Sequence, residues 1–359
     1  MPPLPQELTD DILDYVLDHK ALSQCALVCH SWQHHAQSGI FRTISLGVGL
    51  QGGFGLGIMD VPVLGEVVDL FHAFHDLLVE SPHLASHVRT LNLGLQPFPA
   101  EVPAHDALAS GSWLKINESG AKIIPLLHAL KSLALFPCGP HMHTFQLHVN
   151  ILNASQTLLP ETFHFAHWSF YESLALTFLG SRPSLLTLKF AECEFKQPVS
   201  FIGPTTLKLV VFDHCEGLAN FSQNEGSSRL LYTECMTVKL AYLPNAAVAV
   251  MQALAGLAPS IGRSLTVVFS AVGTNSPRLF SLVPFSQLQT LHLFFLEDSP
   301  IRTISMVWLE TTFAALAIPS GVSLCLSITT THAHPSRMLD WEESWKHMHL
   351  KITVWLGVT

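Results

Sequence analysis

Apolar positions recur with two different periods along this chain, and the change of period divides it. Over residues 5–17 the spacing is three and four: Leu8, Ile12 and Val16, with Leu13 and Leu17 one step round. That period predicts one apolar stripe of an amphipathic helix. Glu7, Asp10, Asp11 and Asp14 fill the other face and the favourable N-terminal end. Pro5 suits the first helical turn, where a missing N–H costs nothing. After a polar connection at residues 18–20, a second helical pattern runs through Leu22, Cys25, Ala26, Leu27, Val28, Cys29 and Trp32. Ile40, Phe41, Ile44 and Leu46 close this unit with strand-like alternation. A further amphipathic helix is predicted over 65–80, with Val67, Leu70, Phe71, Phe74, Leu77 and Leu78 on one side.

From about residue 87 the period becomes two, in short bursts that repeat. "LLTLKFAECEF" supplies Leu185, Leu188, Phe190, Cys193 and Phe195. "LKLVVFDHCEGL" supplies Leu207, Val210, Phe212, Cys215 and Leu218, and "SRLLYTEC" supplies Leu230, Tyr232 and Cys235. "LKSLALFPC" (Leu130, Leu133, Leu135, Cys138) is an earlier copy. Weaker copies lie at Val88, Leu91 and Leu93, at Phe163, Phe165, Trp168 and Phe170, and at Leu288, Leu291 and Leu293. The pattern resembles a degenerate leucine-rich repeat, whose period is roughly 20–29 residues. Its alternating apolar residues are the inward face of a short parallel strand. The Cys closes the turn, where a small side chain can face the backbone. "VSLCLSI" and "LKITVWL" alternate strictly and read as the last strands. "SLALTFLGS" and "AAVAVMQALAGL" read as apolar cover for the sheet. An ordinary α/β core of parallel strands is the alternative.

Composition sharpens this. Of 359 residues, 48% are apolar and only 13% charged, which implies large buried surfaces, some of them covered by partners. The net charge is −9, and no run of Lys and Arg occurs. Nucleic acid therefore does not fit as a partner. The 21 histidines are scattered and read as composition rather than as a pH switch. The N-terminal residues lack a basic segment and an apolar core, so no signal peptide is expected. Seven cysteines without paired spacing suit a reducing compartment, cytoplasmic or nuclear. The N-x-[ST] sequons at Asn117, Asn153 and Asn220 are then chance. The uncharged stretches 240–262 and 311–336 are interrupted by Pro244, Pro259 and Pro319 and read as buried elements, so no membrane span is expected.

Candidate chemistry is thin. Gly47, Gly49 and Gly52 spell G-x-G-x-x-G, but the glycines continue to Gly57 and "IMDVPV" starts no helix, so a flexible loop is expected. His72 and His75, and the pairs His141–His143, His332–His334 and His347–His349, lack the further ligands a metal needs. Asp10–Asp11 and Glu342–Glu343 are adjacent and point apart on a helix. No catalytic residue, cofactor or metal is expected, and the chain is expected not to be an enzyme. In "CALVCHSW" (25–32), Cys25 and Cys29 read as small apolar side chains of a packed helix.

"LPQELTDDILDYVL", "ALSQCALVCHSW" and "IFRTISL" together resemble the F-box, the three-helix module of ubiquitin-ligase substrate receptors. Leu4, Pro5, Glu7, Leu8, Ile12, Leu13, Leu17, Leu22, Leu27, Val28, Cys29, Trp32, Phe41 and Arg42 carry the match. His30 stands where that family often has Lys or Arg, and the connection at 18–21 is short. With "SPHLASHVRTLNL" and the repeats, the whole is similar to the expanded F-box proteins of mushroom-forming fungi. The resemblance implies an α/β architecture: a three-helix F-box (1–46), a Gly-rich loop and amphipathic helix (47–86), and an irregular leucine-rich-repeat-like solenoid with a parallel sheet (87–359). It implies docking on a Skp-type adaptor, and through it on cullin and RING subunits, while the repeats hold a target protein whose identity stays open. Leu4, Pro5, Leu8, Ile12, Leu13, Leu17, Val28 and Trp32 are the implied adaptor face and its support, with Trp32 either interface or core. The alternative is a repeat protein with a drifted F-box that recruits no ligase.

Overall fold

The computed structural model describes residues 6–16, 18–47, 64–94, 107–136, 149–155, 158, 160–170, 184–197, 205–218, 220, 231–240, 253–254, 256–258, 261–269, 287–297, 323–330 and 352–357. The chain divides into two units, Met1–Ala166 and His167–Thr359, so the repeat region expected over 87–359 is shared between them. Leu4, Pro5, Leu17, Cys138, Leu230, the three H-x-H pairs, Glu342–Glu343, "SLALTFLGS" and the glycine run beyond Gly47 lie outside the described residues.

Three helices open the first unit: α1 (Gln6–Asp14), α2 (His19–Ala26) and α3 (His30–Phe41). α2 starts at its place because the Asp18 carboxylate accepts the backbone N–H groups of Lys20 and Ala21, each at 3.1 Å. It ends where Leu27 N–H turns back to the Gln24 carbonyl at 3.0 Å. The sequence pattern predicted helix through Trp32. Instead the chain turns at residues 27–29, and Cys29 is extended (φ −163°, ψ 164°) as the N-cap of α3. Its carbonyl accepts the N–H groups of Trp32 and Gln33. The physical reason is a helix closed by a tight turn with no Gly or Pro to signal it.

The predicted stripe on α1 is also corrected. Thr9 and Leu13 are buried and Val16 is half-buried, whereas Leu8 and Ile12 face solvent. The helix carries two apolar lines, and only the line 9–13–16 packs. Leu13 joins Leu22 and Ala36 in a small core, ringed by Val16, Cys25, Ala26, Trp32 and Ile40. Side-chain contacts tie α1 to α3. Gln6 Nε2 donates to the Ser31 carbonyl at 3.2 Å, and His35 Nε2 lies 2.9 Å from Asp14 Oδ1.

The rest of the first unit is built from β1 (Thr43–Leu46), α4 (Leu64–Glu80), a 3-10 turn (Pro82–Ser86), β2 (Thr90–Leu93), α5 (Ala107–Ile123), β3 (Ser132–Leu135), α6 (Val149–Ala154) and β4 (Thr162–Ala166). The four strands pair in parallel and in chain order. Two apolar lines cross them: Ile44–Leu91–Leu133–Phe163 and Leu46–Leu93–Leu135–Phe165. On α4, Val68, Phe71, Phe74 and Leu78 are buried, while Leu70, expected on the packed side, is exposed.

In the second unit β6 (Thr187–Ala191), β8 (Thr205–Asp213), β9 (Leu231–Leu240), β10 (Ile261–Phe269), β11 (Thr290–Glu297), β12 (Ser323–Thr330) and β13 (Ile352–Gly357) form a parallel sheet, again in chain order. Two lines of apolar residues hold register across it. One is Leu188–Val210–Met236–Leu265–Leu291–Leu324–Ile352; the other is Phe190–Phe212–Val238–Val267–Leu293–Leu326–Val354. Crossovers between parallel neighbours leave both faces of such a sheet to be covered. Ala253, Leu254, Leu257 and Ala258, from the predicted apolar cover, are buried.

The strand exits repeat as well. His167, Glu192 and His214 take φ of 60°, 50° and 52°. Their N–H groups donate to the carbonyls of Ala191, Asp213 and Lys239, at 2.8, 2.7 and 3.0 Å. Trp168, Cys193 and Cys215 then turn inward and are buried. The Cys193 thiol donates to the Ala191 carbonyl at 3.4 Å, and the Cys215 thiol to Asp213 at 3.5 Å. Beyond them β5 (Ser169–Phe170) and β7 (Glu194–Phe195) form a short parallel ladder. Phe170, Phe190, Phe195 and Phe212 pack ring against ring, with neighbouring centroids 5.2–6.2 Å apart. The third cysteine does not follow this rule. Cys235 sits inside β9 opposite Leu209, because the alternation continues through Met236 and Val238, and Tyr232 is exposed rather than inward.

Candidate docking face

The helical unit leaves several large apolar side chains uncovered. Leu8, Ile12 and Tyr15 are 50%, 55% and 86% exposed, and Leu27 and Val28 are 80% and 62% exposed. Leu8 and Ile12 lie one turn apart on α1, and Tyr15 follows just past its end; Leu27 and Val28 lie in the turn before α3. The Gln6–Ser31 hydrogen bond brings the first turn of α1 beside the start of α3. Leu8 and the Leu27–Val28 turn each lie within a few residues of that contact, whereas Tyr15 stands at the opposite end of α1. Each such side chain gains about 1.5–3 kcal/mol when fully buried, so a row of them is a surface that association stabilises.

The expected site residues divide by this geometry. Leu8, Ile12 and Val28 are on the surface. Leu13, 4% exposed, is in the module's own core, where it supports α1 rather than presenting a contact. Trp32 is half-buried against the same core. Sequence reasoning left Tyr15 and Leu27 out of the face. Their signal was available: Tyr15 continues the spacing Leu8, Ile12 by one further turn, and Leu27 adjoins Val28.

Charge borders the face. On α1, Glu7, Asp11 and Asp14 are exposed. His35 on α3 reaches two of the helix's carboxylates, Asp14 at 2.9 Å and Asp10 at 3.6 Å. Cys29 is exposed, and its Sγ lies 3.1 Å from Ser31 Oγ. The Ser31 hydroxyl, and after it the backbone N–H of Trp32, favour the thiolate and lower the Cys29 pKa. Cys193 is the opposite case, since burial pushes its thiol up. Among the described residues none of Cys25, Cys29, Cys193, Cys215 and Cys235 is in a disulfide. No group of three or more His, Cys, Asp or Glu among them is placed to hold a metal ion. His75 is engaged with Asp76 at 3.1 Å. No helix among the described residues is long and apolar enough to cross a membrane.

Residues 1–46 match the family model of the F-box-like domain. F-box domains in general bind Skp-type adaptors, which places this segment in a ubiquitin-ligase-related class of interaction module. No curated protein matches the chain in sequence.

Proposed function

We propose that this chain is the substrate-receptor subunit of an SCF-type cullin-RING ubiquitin ligase. Its N-terminal module docks a Skp-type adaptor, and the following parallel-strand region, a leucine-rich-repeat-like solenoid, holds a target protein. The observation that carries the reading is the F-box-like match over 1–46, on a module whose apolar side chains Leu8, Ile12, Tyr15, Leu27 and Val28 stand uncovered. Helix packing against a charge-poor face is the form of contact such a surface makes. The chain performs no bond chemistry in this role. It raises the local concentration of a target beside the ubiquitin-charged enzyme, in the cytoplasm or nucleus.

The test is co-purification of the full chain with a Skp-type adaptor, compared with the double substitution Leu8→Asp, Ile12→Asp. Both side chains are about half exposed, so the variant folds. Two lost apolar contacts and two carboxylates forced into the interface weaken binding by at least about 100-fold. If the wild type binds no adaptor, or the double variant binds it equally well, the docking assignment fails. A repeat protein with a drifted F-box is then the surviving description.

A further inference from the structure

The scattered histidines include one cluster that the linear sequence hides. His87 follows the 3-10 turn Pro82–Ser86 and is only 7% exposed. Its ring meets that of His34, on α3, edge to face with centroids 4.8 Å apart. The turn itself packs against α3. It is held by the N–H of Leu84 on Ser81, the N–H of His87 on Leu84 and the Ser86 hydroxyl on His83, at 3.0, 3.0 and 2.7 Å. The charged or titratable groups that act on His87 are His34 from α3, His83 from its own turn and Arg89 from the segment leading into β2. All three are basic. Arg89 is held in place, because its Nη1 donates to the Ala129 carbonyl at 3.1 Å and its backbone N–H to the Arg42 carbonyl at 3.0 Å. A proton on His87 would thus be a buried charge surrounded by groups of the same sign.

We propose that His87, packed against His34, is an acid-released latch that holds α3 to the turn Pro82–Ser86 at neutral pH and lets it go on acidification. Burial first, then His34, His83 and Arg89, lower the His87 pKa below the free value. The folded state therefore prefers neutral His87. The latch is at full strength above the unfolded-state pKa of about 6.5 and weakens as pH falls from there toward the lower folded value. The inference is independent of the adaptor assignment.

The experiment is hydrogen exchange of the full chain at pH 7.5 and pH 5.5, read as protection factors for peptides spanning 30–41 and 82–88, with His87→Gln alongside. One proton taken up on opening raises the opening equilibrium by up to about tenfold per pH unit below the free-histidine range. Wild type is expected to lose protection several-fold in both segments, and His87→Gln to lose less than half as much on a logarithmic scale. An equal loss in the two proteins, or no loss in wild type, overturns the proposal. Should His87→Gln fail to fold, imidazole carbon NMR of the wild type decides. Supporting behaviour is a His87 that stays neutral while exposed histidines protonate, and that charges together with the loss of protection. A His87 that titrates with the exposed histidines overturns it.

Discussion

Gly217 offers a severe test of how the second unit is held together. It follows the buried Cys215 with φ +68°, a conformation that L side chains rarely adopt. A Cβ there would press into the carbonyl oxygen of Phe195 and lie 3.0 Å from its carbonyl carbon, so backbone rather than a flexible side chain has to move. Phe195 is fully buried, its carbonyl accepts Asn220 Nδ2 at 2.6 Å, and its N–H donates to the Glu216 carbonyl at 3.0 Å. Gly217→Ala thus incurs about 1–2 kcal/mol for the left-handed backbone and about 1 kcal/mol for each of two disturbed hydrogen bonds. A less flexible unfolded chain returns about 0.4–1 kcal/mol. The net is about 3 kcal/mol, or a fall in Tm of about 6–12 °C for a unit of this size. Calorimetry and urea midpoints read it directly. Gly39→Ala is the control. Its Cβ meets the flexible end of Leu22, 3.0 Å away, within α3, and the gain in helix propensity of about 1 kcal/mol offsets the contact. A Gly217→Ala protein within about 1 kcal/mol of wild type, or no less stable than Gly39→Ala, would refute the reasoning.

Two further outcomes test the helical unit. Leu13→Ala, which empties the core shared with Leu22 and Ala36, is expected to cost about 2–5 kcal/mol and to abolish the helical signal of 1–46 in exchange measurements; retained protection of α1 would place the core elsewhere. Ser31→Ala is expected to slow alkylation of Cys29 near pH 7, because it removes the hydroxyl that most favours the thiolate. In the same assay Cys193, buried and shifted upward, stays unlabelled until unfolding, and early labelling of Cys193 would contradict its placement.

The strands were legible because their alternation is a property of neighbours in sequence. Leu188 and Phe190, Val210 and Phe212, Leu133 and Leu135, and Phe163 and Phe165 are all inward as the period of two predicts. Where the reading went wrong, two assignments had equal local support. Leu8, Ile12, Leu13 and Val16 are all apolar, and spacing alone cannot say which of two adjacent lines on α1 meets Leu22 and Ala36. Cys235 matched the cysteine rule by position, yet Met236 and Val238 set the phase of β9. The break at Leu27–Val28–Cys29 has no Gly or Pro to announce it. The pairing of His34 with His87 is made by tertiary packing across 53 positions (87 − 34) and leaves no trace in either segment.

The two straight apolar lines across the second unit have a consequence for how such a chain can change. Leu188 and Val210 are neighbours on adjacent strands, and so are Leu291 and Leu324, although the second pair is separated by a longer stretch of chain. Parallel register is thus kept across connections of different length. Within the sheet each inner strand pairs with two neighbours. A segment gained or lost between strands leaves every other contact in the row intact, and the cost of closing a longer loop grows only logarithmically, about 0.6 kcal/mol per doubling. The connections can therefore diverge in length and sequence while the pairing of the strands stays the same.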